Sequence, residues 1–140
     1  MPWNLTLDPS LSPSLAALAA AKTRLSLGLR LHWIKEWDVN TGLTTAHQRA
    51  IKWTLAKGWP VCAGLRWPKQ ERWVDGVLQM CPTNAVRDGH SVLLVGYRDA
   101  AEQPGGGVFV FRNTAGNGQD GMMPYAYAAA YMNDAAWVDY

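Results

Sequence analysis

The chain has 140 residues, with 49% apolar, 17% charged and a net charge of +2. That is enough for a single domain with one core, spanning 1–140. The charge is low and scattered, which argues against a nucleic-acid partner, and no apolar run approaches the roughly 20 residues of a membrane span.

The first residues, Met1 to Asp8, carry no basic segment. The breaker cluster Pro9, Ser10, Ser12, Pro13 and Ser14 precedes an alanine- and leucine-rich stretch from Leu15 to Lys22, which predicts a short helix rather than a signal peptide. A cytoplasmic location is the expectation. Leu25, Leu27, Leu29, Leu31 and Trp33 then alternate with Ser26, Gly28, Arg30 and His32. This period of two predicts a half-buried strand with the leucines inward and His32 toward solvent. Thr44 or Thr45 can cap a helix running to Lys57, with Gly58 just past its end. Its apolar face would hold Leu43, His47, Ala50, Ile51, Thr54 and Leu55.

Trp59-Pro60 breaks that helix, and Val61 to Trp67 reads as a strand containing Cys62 as a core or sheet thiol. Trp73 to Met80 reads as a short strand interrupted at Gly76, and Cys81 to Asn84 as a turn. Ser91 to Tyr97 and Val108 to Arg112 read as two strands joined by a long hairpin connection holding Pro104 and three glycines. A second glycine-rich loop covers Thr114 to Gly121. Pro124 to Met132 reads as a helical turn, and Ala136 to Tyr140 as a last strand. The pattern is α+β, with a mainly antiparallel sheet and helices outside it.

Two cysteines, Cys62 and Cys81, and three dispersed histidines make neither a disulfide framework nor a metal spacing. No metal or cofactor is expected. The residues that carry chemistry stand at the borders of the C-terminal hairpin. His90 opens its first strand and Asn113 closes its second, and antiparallel pairing sets the start of one strand beside the end of the next. An amide oxygen beside a histidine fixes its tautomer and ring orientation, as a general base for a thiol requires.

The run Gly89-His90-Ser91-Val92-Leu93-Leu94-Val95-Gly96-Tyr97 resembles the strand around the catalytic histidine of papain-like cysteine peptidases. Arg112-Asn113-Thr114, followed by Gly116 to Gly121, resembles their asparagine segment and its glycine-rich loop. Met123-Pro124-Tyr125-Ala126-Tyr127 resembles the segment after that loop. Ile51 to Leu65 and Trp73 to Leu78 resemble the elements that precede the histidine. The resemblance runs in order over roughly residues 45 to 138. It implies the C-terminal half of such a peptidase, a mainly antiparallel sheet or half-barrel with peripheral helices. His90 would be the base and later the acid, and Asn113 would orient the imidazole.

The family's nucleophile is a cysteine on a helix of the N-terminal half, with an oxyanion-hole glutamine just before it. Nothing in this chain resembles that segment. The family's tryptophan two residues after the asparagine, which shields the histidine pair, is Ala115 here. Cys81 lies near a position where some members hold a structural cysteine.

The leading expectation is therefore a peptidase half, inactive alone, that acts on peptide or protein substrates when a complementary N-terminal half joins it; homo-oligomerisation is the other way to cover its exposed face. The alternative is a non-catalytic peptide- or protein-binding module in the same cleft. A relocated nucleophile (Cys62, Cys81 or Ser91) is the third. Eight tryptophans are more than the core of a domain this small can hold, so some of Trp33, Trp37, Trp59, Trp67 and Trp73 should lie at the surface.

Overall fold

The computed structural model describes residues 12–114 and 120–140. The described residues divide into two compact units, those of Met1–Arg30 with Asp139 and Tyr140, and those of Leu31–Val138.

In the described part of the first unit, α1 (Leu15–Leu25) starts where the Ser14 hydroxyl accepts the Ala17 N–H at 3.2 Å. It buries none of its residues. It runs three residues beyond the predicted end, through Thr23, Arg24 and Leu25, before Gly28 takes a left-handed φ of 68°. Arg30 makes a two-pronged ion pair with Asp139, both contacts at 3.0 Å.

The larger unit is built on an antiparallel sheet. Its strands are β1 (Arg30–Lys35), β2 (Val61–Pro68), β3 (Trp73–Val74), β4 (Val77–Leu78), β5 (Val86–Asp99), β6 (Gly107–Arg112), β7 (Asp120–Pro124) and β8 (Met132–Asp139). Their order is β1-β8-β2-β5-β6-β7-β4-β3. The β4–β7 pairing, at Val77 and Met122, is parallel. Two helices accompany the sheet, α2 (Thr45–Ala56) and α3 (Tyr125–Tyr131). The α+β class with a mostly antiparallel sheet is as the sequence predicts.

The limits of α2 follow from its caps. The Thr44 hydroxyl accepts the His47 N–H, and His47 Nδ1 accepts the Thr44 N–H, each at 3.2 Å. Gly58, at φ 86°, ends it. Leu43, Ile51 and Thr54 are buried, as the helical pattern requires. They meet inward residues of β2 and β5 (Val61, Ala63, Leu65, Val92, Leu94), which form the core with Phe109, Phe111, Met123 and Tyr127.

Several predicted elements are corrected. The strand expected from Leu25 to Trp33 is shorter, later and opposite in phase. Leu31 and Trp33 are 56% and 51% exposed, whereas His32 and Ile34 are partly buried; Lys35, at the strand's end, is buried as well. His32, expected toward solvent, stacks on Trp137 with ring centroids 4.3 Å apart. The interrupted strand at Trp73 is a hairpin, since Asp75 and Gly76 both take positive φ (49° and 75°) and turn the chain back. The strand of His90 begins at Val86, not Ser91, because β2 pairs with it as far as Pro68↔Val86. β7 was hidden in what the sequence presents as loop, and β8 starts directly after α3 rather than at Ala136. Cys62 lies on β2 as expected, but exposed; both cysteines are free thiols. Among the described residues, no helix is long and apolar enough to cross a membrane.

Candidate active site

His90 and Asn113 come together by strand register. β5 and β6 pair Leu93↔Arg112 and Leu94↔Phe111. One further step places Asn113 opposite Val92, so His90, two residues back on the same face, is its diagonal neighbour. His90 Nε2 lies 3.1 Å from Asn113 Oδ1. An amide oxygen can only accept, so Nε2 carries the proton and Nδ1 the lone pair. Nδ1 has no hydrogen-bond partner among the described residues, which leaves it able to take a proton.

Asn113 is anchored by its neighbour. Arg112 makes a bidentate pair with Asp120, at 2.9 and 3.1 Å, across the β6–β7 register. This bond holds the Asp120 carboxyl below its usual range. It closes the stem of the loop that follows Asn113. Ala115 and the glycine-rich run to Gln119 lie outside the described residues, as does the Pro9-Ser10 part of the N-terminal breaker cluster.

His90 also lines a small cavity, of about 160 Å³, with Trp37, Gly64, Ser91, Asn133 and Asp134. Its wall is made by a bulge. β2 pairs Gly64↔Asp134 but Leu65↔Met132, so Asn133 is the extra residue. The bulge turns Asp134 over β2, where Oδ1 accepts the Gly64 N–H at 3.0 Å. Asn133 is buried and fastens the loop before α2, its amide donating to the carbonyls of Asp38 and Val39, both at 3.3 Å. The Asn133 carbonyl accepts from the buried Lys35 amine and from the Asp38 N–H. The Asp38 carboxyl is held below its usual range by the Asn40 backbone N–H and then the Thr41 hydroxyl. These bonds fix the loop that presents Trp37, 67% exposed, at the cavity rim.

Sequence reasoning missed three of these residues. Trp67 is 2% exposed and packs its indole against the His90 ring, centroids 4.4 Å apart. Glu71 takes the indole N–H of Trp67 on one oxygen and that of Trp73 on the other. Asp134 supplies a carboxylate to the cavity. The spacing Trp67, Glu71, Trp73 was a visible signal, but nothing local tied it to a histidine some twenty residues on.

None of the three suggested nucleophiles is placed for attack through His90. The unbroken register from Val61↔Leu94 to Leu65↔His90 puts His90 on the face of Val61, Ala63 and Leu65. Cys62 and Ser91 are one step out of phase and leave the strand toward the other face, although Ser91 shares with His90 the lining of the cavity at Gly64. Cys81 lines a different cavity, of about 380 Å³, with Lys69, Arg72 and Met80. Among the described residues, no group of three or more histidine, cysteine or acidic side chains is arranged to hold a metal ion.

No family model matches the chain, and comparison with curated proteins found no match.

Proposed function

We propose that this chain carries the base-and-orienter half of a papain-like cysteine peptidase site, on a sheet of the kind found in that family's C-terminal half. A complementary polypeptide supplies the nucleophilic cysteine. The observation that carries this reading is the bond from His90 Nε2–H to Asn113 Oδ1, with Nδ1 left without a partner among the described residues. In that arrangement Nδ1 accepts the thiol proton, the thiolate attacks the peptide carbonyl, and the imidazolium returns the proton to the leaving amine. The exposed aromatic side chains Trp33, Trp37 and Trp53 are in keeping with a surface that a partner covers.

The test is an assay under reducing conditions on a broad panel of fluorogenic peptides. The chain alone should be inactive. Mixed with an N-terminal half of a papain-like peptidase that bears the cysteine, it should cleave, and the His90→Ala variant should not. Cleavage by the chain alone that survives in the variant, or mixing that binds the halves without restoring any His90-dependent turnover, would refute this reading.

A second reading is a non-catalytic module that binds a peptide at the same cavity. The cavity that His90 shares with Gly64 and Asp134, with no thiol in its lining, favours it. A monomer on a sizing column that binds peptides equally well with His90→Ala would select it.

A further inference from the structure

The imidazole of His90 has an aromatic wall that is itself held in place. The Trp67 indole meets it with planes inclined at 48° and meets Phe111 edge-on, centroids 5.9 Å apart. Its Nε1–H donates to Glu71 Oε1 at 2.7 Å, and Trp73 Nε1–H donates to Glu71 Oε2 at 3.0 Å. One carboxylate thus satisfies two indoles, one per oxygen, and both bonds are charge-assisted. A buried indole needs a partner for its N–H, so Glu71 is what allows Trp67 to lie against the histidine at 2% exposure.

We propose that Trp67, clamped by Glu71, is a positioning residue for His90. It covers one face of the imidazole, keeps water from competing for the Nε2–H bond to Asn113, and so fixes the ring with Nδ1 as the basic nitrogen. The proposal rests on the reading of His90 and Asn113 as base and orienter. It adds two residues from β2 and the loop after it. A water molecule admitted at that face could take the Nε2 proton and let the ring swing. An aromatic wall removes that competitor without itself offering an acceptor.

The test is proton NMR of the ¹⁵N-labelled full chain, following exchange of the His90 Nε2 proton with water. It should exchange slowly in the wild type and faster in Asn113→Ala. Trp67→Ala should speed it about two- to tenfold, roughly the coupling of one aromatic pair. Trp67→Phe should fall between, and Glu71→Gln should sit closer to wild type than Glu71→Ala. Backbone amide exchange in β2 and β5 serves as the control for general loosening.

If Asn113→Ala speeds exchange but Trp67→Ala and Glu71→Ala, still folded, do not, the clamp is overturned and the dyad stands. If the wild-type proton exchanges fast, or Asn113→Ala changes nothing, the dyad falls and the clamp with it. Should Trp67→Ala fail to fold, Trp67→Phe and Glu71→Ala decide alone, and unchanged exchange in both overturns the proposal.

Discussion

The carboxylate of Asp134 occupies the space where a side chain of residue 64 would begin: a methyl group on Gly64 would collide with Oδ2. The two residues are 70 apart in sequence and joined by the Gly64 N–H bond. Gly64→Ala should therefore destabilise the fold by about 1–3 kcal/mol. Asp134→Ala should relieve most of that cost when combined with it. Urea denaturation of the two single variants and the double variant measures the coupling directly, and additive losses would contradict the contact.

The same carboxylate gives the cavity beside His90 a negative wall, with the Trp37 indole at the rim. A peptide that places a guanidinium there should bind roughly tenfold more tightly than one with an apolar group of similar size. Asp134→Asn should erase the difference. Titration of matched arginine and norleucine peptides by calorimetry checks it, and equal affinities for the wild type would rule the preference out.

Leu31 and Trp33 face outward on β1, although the alternation invites the opposite assignment. Trp33→Ser should change stability by no more than about 0.5 kcal/mol. Leu94→Ala, at a position with 0% exposure, should cost about 2–5 kcal/mol. Thermal unfolding of the two variants reads the contrast.

Asp99 accepts from the Lys52 amine at 2.6 Å and the Tyr125 hydroxyl at 2.8 Å. Lys52 first, then Tyr125, holds its carboxyl below the usual 3.8. The folded state thus binds this proton less readily than the unfolded chain. The stabilisation is fully present above the ordinary carboxylate value and is lost as pH falls below 3.8 through the lower folded value. Tyr125 is pushed upward, by burial first and then by Asp99. Its contribution is full below its ordinary 10.0 and declines as pH rises beyond that. Asp99→Asn should flatten the acid limb of a stability–pH profile and weaken the alkaline one. An unchanged acid limb would remove Asp99 as its source.

Asp120→Asn should leave the melting temperature nearly unchanged, because the Arg112–Asp120 pair is solvent-exposed. It should nonetheless loosen the stem that carries Asn113 and speed exchange of the His90 Nε2 proton. Loss of stability without any change at His90 would show that the pair serves the sheet and not the site.

Much of the site was legible because its logic is local. His90 and Asn113 each sit beside a strong strand pattern, and a hairpin connection between the strands leaves few ways to pair them. The α2 helix was equally plain, since Thr44, His47 and Gly58 state its ends through their own backbone bonds. The face of β1 was not. A strand there was correct, but which side is inward depends on a neighbouring strand: Trp137 stacks on His32 and draws that face of β1 inward. Asp75-Gly76 did carry a hairpin signal, which a reading of Gly76 alone as an interruption overlooked. β7 lacked any pattern of its own, being recruited by the ladder that β6 offers from Val108↔Pro124 to Arg112↔Asp120.

The sequence by itself determined the class of the fold, the limits of α2, and the two strands that carry His90 and Asn113. These follow from period, caps and breakers, which act within a few residues of one another. Only the tertiary structure decided that Trp67 walls the imidazole, that Glu71 clamps Trp67 and Trp73 together, and that Asp134 lies over Gly64. Those contacts depend on register across the sheet and on a one-residue bulge in β8. A shift of one position in the β2–β8 pairing would turn Asp134 to the other face.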